Sequence, residues 1–82
     1  LLNWVKLDLF YLGKSKKNEI FRAKRWNKNL EKILHKSVFT EQYKEIGYIK
    51  EIFGPVESPF VSIKSLSDKQ FNPDIKLYAK MK

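Results

Sequence analysis

Few side chains here could make or break bonds. His35 is the sole histidine and cysteine is absent. Within the chain this excludes thiolate nucleophiles, disulfides and zinc ribbons, and a histidine-based metal site would need ligands from another chain. A serine triad would have to bring Ser37 or Ser58 beside His35 with a remote acid. Nucleophile and base must then sit within about 2.6–3.2 Å, and no spacing in the chain imposes that. Glu41 and Glu45 stand four residues apart in a charged turn and read as solvated charge rather than an acid–base pair. Gly13-Lys14-Ser15 is similar to the end of a phosphate-binding loop, but Asp8 occupies the place of the upstream glycine. These patterns predict a protein that is not an enzyme, with no cofactor and no metal site.

What remains is charge and apolar surface. The 82 residues carry a net charge of +8, with 17 Lys and Arg against 9 Asp and Glu. Residues 1–36 hold ten cations and three acids, a balance of +7, whereas residues 37–82 hold seven cations and six acids, a balance of +1. Such a field favours a polyanionic partner and speeds encounter with it. Lys14, Lys16, Lys17, Arg22, Arg25 and Trp26 are the candidate RNA contacts. Trp26 is the stacking candidate among them, because its parity mates Arg22 and Lys24 are charged. No apolar run approaches the roughly 20 residues of a membrane span. Leu1-Leu2-Asn3-Trp4 does not read as a secretion signal.

The second chemical feature is the stretch Phe53-Gly54-Pro55-Val56-Glu57-Ser58-Pro59-Phe60. Gly54 can take a positive φ or permit close approach, while Pro55 fixes its own φ and keeps Gly54 out of the α region. Pro59 stiffens the chain again before the next strand. A rigid loop flanked by Phe53, Val56 and Phe60 has already lost much of the entropy that binding would otherwise cost. The same aromatics could instead close one end of a core.

Short strands must position these groups. Residues 4–12 read as one strand, with Val5, Leu7, Leu9 and Tyr11 on one parity and Lys6 and Asp8 on the other. Residues 13–18 have the composition of a hairpin connection, and residues 19–26 form its return strand. Residues 27–36 read as a loop with one helical turn, capped by Asn27 or Asn29, and too short for an independent helix. Residues 37–39, 46–53, 60–64 and 75–79 complete the strands, separated by a charged turn over 40–45, the proline loop, and a loop over 65–73 containing Asn72-Pro73. The expected fold is a single all-β domain spanning 1–82. It is a small six-stranded closed or partly closed barrel, of Greek-key-like or translation-protein-like topology.

Taken together, Ile46-Gly47, Ile52-Phe53-Gly54-Pro55-Val56 and Pro59-Phe60-Val61-Ser62-Ile63-Lys64 resemble the central motif of the glycine–arginine-rich protein family of box H/ACA ribonucleoproteins. The likeness continues more loosely through Val38-Phe39, Asn72-Pro73 and Leu77-Tyr78. Val38-Phe39-Thr40 stands where members usually carry Val-Tyr-Asp. An archaeal-type member or a trimmed core fits the missing arginine–glycine repeats. The resemblance implies a non-catalytic accessory subunit of an RNA-guided pseudouridine synthase, acting in rRNA pseudouridylation and ribosome biogenesis. It implies docking on the catalytic domain of a dyskerin-type synthase through Phe53, Gly54, Pro55, Val56, Pro59, Phe60 and Val61. It also implies modulation of substrate RNA loading and release, with guide and substrate RNA reached through the assembled particle. The expected location is cytoplasmic in an archaeon and nucleolar in a eukaryote, with no membrane partner. The alternative is a small basic barrel that binds RNA directly as a ribosomal or translation-associated protein.

Overall fold

The computed structural model describes residues 4–66, 74 and 76–81. Among these, seven strands and one 3₁₀ helix follow one another. They are β1 (Trp4–Leu7), β2 (Leu9–Ser15), β3 (Asn18–Ala23), the helix (Lys28–Ile33), β4 (Ser37–Thr40), β5 (Glu45–Phe53), β6 (Phe60–Ser65) and β7 (Leu77–Lys80). All neighbours pair antiparallel in the order β1-β7-β4-β5-β6-β3-β2.

This corrects the expectation of a six-stranded closed or partly closed barrel: the sheet has seven strands and is not closed. The reason lies at Asp8. Val5, Leu7, Leu9 and Tyr11 keep one parity on the core side, so the pattern passes through Asp8 without a break. The hydrogen-bonding partner nevertheless changes there. Leu7 pairs with Leu77 of β7 and Leu9 with Ala23 of β3, while the Asp8 carbonyl accepts from the Lys24 N–H at 2.9 Å. The strand expected over 4–12 is therefore two strands serving the two ends of the sheet.

Other boundaries shift for local reasons. The hairpin turn shrinks to Lys16-Lys17, with Lys16 at φ 58°, because β2 continues through a bulge at Leu12 as far as Ser15. The return strand ends at Ala23, so Trp26 lies beyond it and does not share the strand parity of Arg22. The helix is capped by Asn27, whose side-chain oxygen accepts from the Asn29 N–H at 2.9 Å. The expected loop over 65–73 and Ile75 lie mostly outside the described residues.

Phe21, Ile33, Val38, Ile49, Val61 and Ile63 form the centre of the core, joined by Leu7, Leu77 and Ala79. The helix contributes Ile33 and is tied to β5 through two bonds: the His35 N–H to the Ile49 carbonyl at 2.8 Å, and the Ile49 N–H to the Lys36 carbonyl at 3.0 Å. Gly47 is buried where β5 meets β6, and a Cβ there would run into the Lys64 carbonyl oxygen. Only glycine lets the two backbones approach so closely.

Candidate functional site

The corner between β5 and β6 is held from behind. Gly54 has φ 92°, in the left-handed region, and a Cβ on it would lie 2.7 Å from Cδ2 of Phe60. Both constraints select glycine. The Phe53 and Phe60 rings stack at 5.4 Å with 22° between planes, and the Arg22 guanidinium sits over the Phe60 ring at 5.1 Å. Ser58 fastens the loop to β3: its hydroxyl donates to the Ala23 carbonyl at 2.8 Å and accepts from Arg22 Nε at 3.2 Å. The Ala23 N–H donates to the Pro59 carbonyl at 2.9 Å, and the Ser58 N–H closes a turn onto the Pro55 carbonyl at 3.3 Å.

The seven residues assigned to docking divide by exposure. Val56 is 84% exposed and Phe53 45%, with Gly54 and Pro55 also outward. Phe60 is half-buried, whereas Pro59 and Val61 face inward, Val61 as part of the core. Behind the outward group lies a groove of about 100 Å³ lined by Trp26, Glu31, Ile52, Phe53, Val56 and Pro59, among others. Trp26 thus belongs beside the proline corner. It packs against the core rather than standing free over the cations of β3.

The remaining basic residues do not form one cluster. Lys14, Lys16 and Lys17 lie at the hairpin tip and are exposed, with Lys14 Nζ 4.0 Å from Glu19. Arg25 lies past the other end of β3, its Nε 3.8 Å from an Asp8 oxygen. Arg22 is locked over Phe60. Phe10 is 56% exposed and pairs with Arg22. The ladder register lines up Phe10, Arg22, Phe60 and Phe53 across β2, β3, β6 and β5. Only a known register could show that alignment.

Glu19 is a buried carboxylate that the reading of residues 19–26 as a plain strand did not single out. The Tyr11 hydroxyl donates to it at 2.6 Å. That hydrogen bond, burial and the carboxylate's charge push the Tyr11 pKa up to about 12. The pair faces the core, with Lys14 4.0 Å from the carboxylate, an arrangement that stabilises the hairpin rather than one that handles a substrate.

The groups with catalytic possibilities are scattered. Ser58 is committed to Ala23 and Arg22, Ser37 lies within β4, and Glu41 pairs with Lys76 at 3.9 Å. Among the described residues no group of three His, Cys, Asp or Glu could hold a metal ion, and no helix is long and apolar enough to cross a membrane. The arrangement can present a stiff apolar corner, and it can attract polyanions.

Residues 15–82 match the family described as the Gar1/Naf1 RNA binding region. No match was found among curated proteins. The matched span contains the glycine–proline corner, the Lys16-Lys17 turn and every strand from β3 onward. The chain therefore belongs to the Gar1/Naf1 RNA-binding region family, whose proteins serve box H/ACA ribonucleoproteins as non-catalytic accessory subunits.

Proposed function

We propose that this chain docks on the catalytic domain of a dyskerin-type pseudouridine synthase through Phe53, Gly54, Pro55 and Val56, and so modulates the loading and release of substrate RNA. Members of the family associate with such a synthase in the box H/ACA particle. One observation carries the reading: Val56, 84% exposed, stands on a corner that Gly54, Pro55 and Ser58 hold rigid. Exposed apolar groups on an ordered backbone favour a protein partner, because little conformational entropy is lost when they are covered. Phe60 and Pro59 brace the corner from within. The cations of the first half supply long-range attraction toward the RNA of the particle. The place of action follows the particle, the cytoplasm in an archaeon and the nucleolus in a eukaryote.

The test is isothermal titration of the chain and its Val56→Asp variant against the synthase catalytic subunit. Val56 is so exposed that folding stability should change by only about 0.5 kcal/mol. Loss of a central anchor costs more than about 2 kcal/mol of binding, a drop of roughly 30-fold. Undiminished affinity in a folded variant, judged by circular dichroism, would move the interface elsewhere.

A further inference from the structure

A second set of rings lies at the other end of the strand order. Along β1, β4 and β7, Val5, Val38 and Ala79 point into the core, so Trp4, Phe39 and Tyr78 alternate to the outer face. The Trp4 ring meets Phe39 edge-on at 5.0 Å and 89°, and Tyr43 at 5.7 Å and 60°. The core and the side chains packed upon it leave these rings out.

Tyr43 is 73% exposed and held out by its turn. Its φ is 63°, a conformation that a tyrosine rarely adopts without support. Thr40 provides it: its carbonyl accepts from the Tyr43 N–H at 3.0 Å, and its hydroxyl accepts from the N–H groups of Gln42 at 3.2 Å and Lys44 at 3.4 Å. Trp4, Thr40, Glu41, Tyr43 and Tyr78 line an open cleft of about 350 Å³. Lys76 neutralises Glu41, the one acid in the lining, at 3.9 Å. Lys80 Nζ lies 6.0 Å from the Trp4 ring, and Lys6 is the cross-strand partner of Tyr78.

We propose that this cleft binds an unpaired base of single-stranded RNA, stacked against Tyr43 and Trp4, with Lys80 and Lys6 meeting the adjacent phosphates. Among the described residues no acid pairs with Lys80 or Lys6, and flat π faces rimmed by such cations are what a base and its backbone require. A cationic peptide group would also favour the rings, but Lys80 already faces Trp4, and with Lys6 it repels a second cation. The cleft shares no residue with the proline corner, so it stands or falls apart from the docking reading.

The full chain carrying Trp26→Phe leaves Trp4 as the only indole. It is titrated with a single-stranded oligoadenylate of about ten nucleotides, within the span such sites cover, and Trp4 emission is followed. Quenching is expected, with affinity about tenfold weaker in Tyr43→Asn and retained in Tyr43→Phe. Asparagine tolerates the left-handed backbone, so that variant should keep its fold. Val56→Asp should bind the oligonucleotide unchanged. Unquenched Trp4, or equal affinity in Tyr43→Asn, would overturn the proposal. Equal oligonucleotide affinity in Tyr43→Asn, together with loss of a protein subunit from the particle, would overturn it in favour of a protein ligand.

Discussion

Replacing Gly54 by alanine should damage the corner in two separable ways. The first is backbone strain: at φ 92° an added Cβ costs about 1–2 kcal/mol. The second is contact, because that Cβ would fall 2.7 Å from Phe60 Cδ2 and the ring must move. A displaced ring weakens its stacking on Phe53, worth about 0.5–1.5 kcal/mol, and its contact with the Arg22 guanidinium, worth about 0.5–1 kcal/mol. The expected total is about 2–4.5 kcal/mol, a large share of the stability of a domain of this size, which is about 4–12 kcal/mol. Urea unfolding of Gly54→Ala, Phe60→Leu and the double variant isolates the second contribution. If the ring is what the Cβ strikes, trimming it relieves the clash, and the double variant should be about 1 kcal/mol more stable than additivity allows. Strict additivity would refute the steric account and leave backbone strain alone.

The Tyr11–Glu19 pair predicts an alkaline effect. The folded-state pKa of Tyr11 lies at about 12, above the ordinary 10.0. Its contribution to stability is complete below the lower value and is lost as pH rises toward the upper one. Thermal melts across that window should show a falling midpoint, and Tyr11→Phe should flatten the fall; an identical slope in the variant would assign the effect to another group. At neutral pH the same variant leaves Glu19 without its hydroxyl donor, at a cost of about 1–3 kcal/mol by urea titration. Ile49→Ala, at a position with no exposed surface, should cost about 2–5 kcal/mol. A loss below 1 kcal/mol would mean that the core centres elsewhere.

Local features were legible in the sequence. Gly54-Pro55 and Pro59 announce a stiff corner because φ restriction acts within two residues, and the alternation of Val61 and Ile63 marks a buried face without reference to any neighbour. Features that depend on a partner strand were not. Nothing in residues 4–12 says that Leu7 pairs with β7 and Leu9 with β3, since alternation reports which face a side chain takes and is silent about hydrogen bonds. Trp26 was grouped with Arg22 by parity, a rule that lapses once β3 ends at Ala23. The assembly of Trp4, Tyr43 and Tyr78 from three distant segments, and the meeting of Tyr11 with Glu19 across a bulged hairpin, required a register.

The two terminal strands of the sheet carry a further consequence for life in a crowded particle. β1 is only four residues long and bears Lys6, while β2 is kinked by its bulge at Leu12 and followed by lysines. Short, bent and charged rims are poor templates for another copy's backbone. With Val56 and Phe53 exposed elsewhere on the surface, such rims guard a free copy against stacking into fibrils.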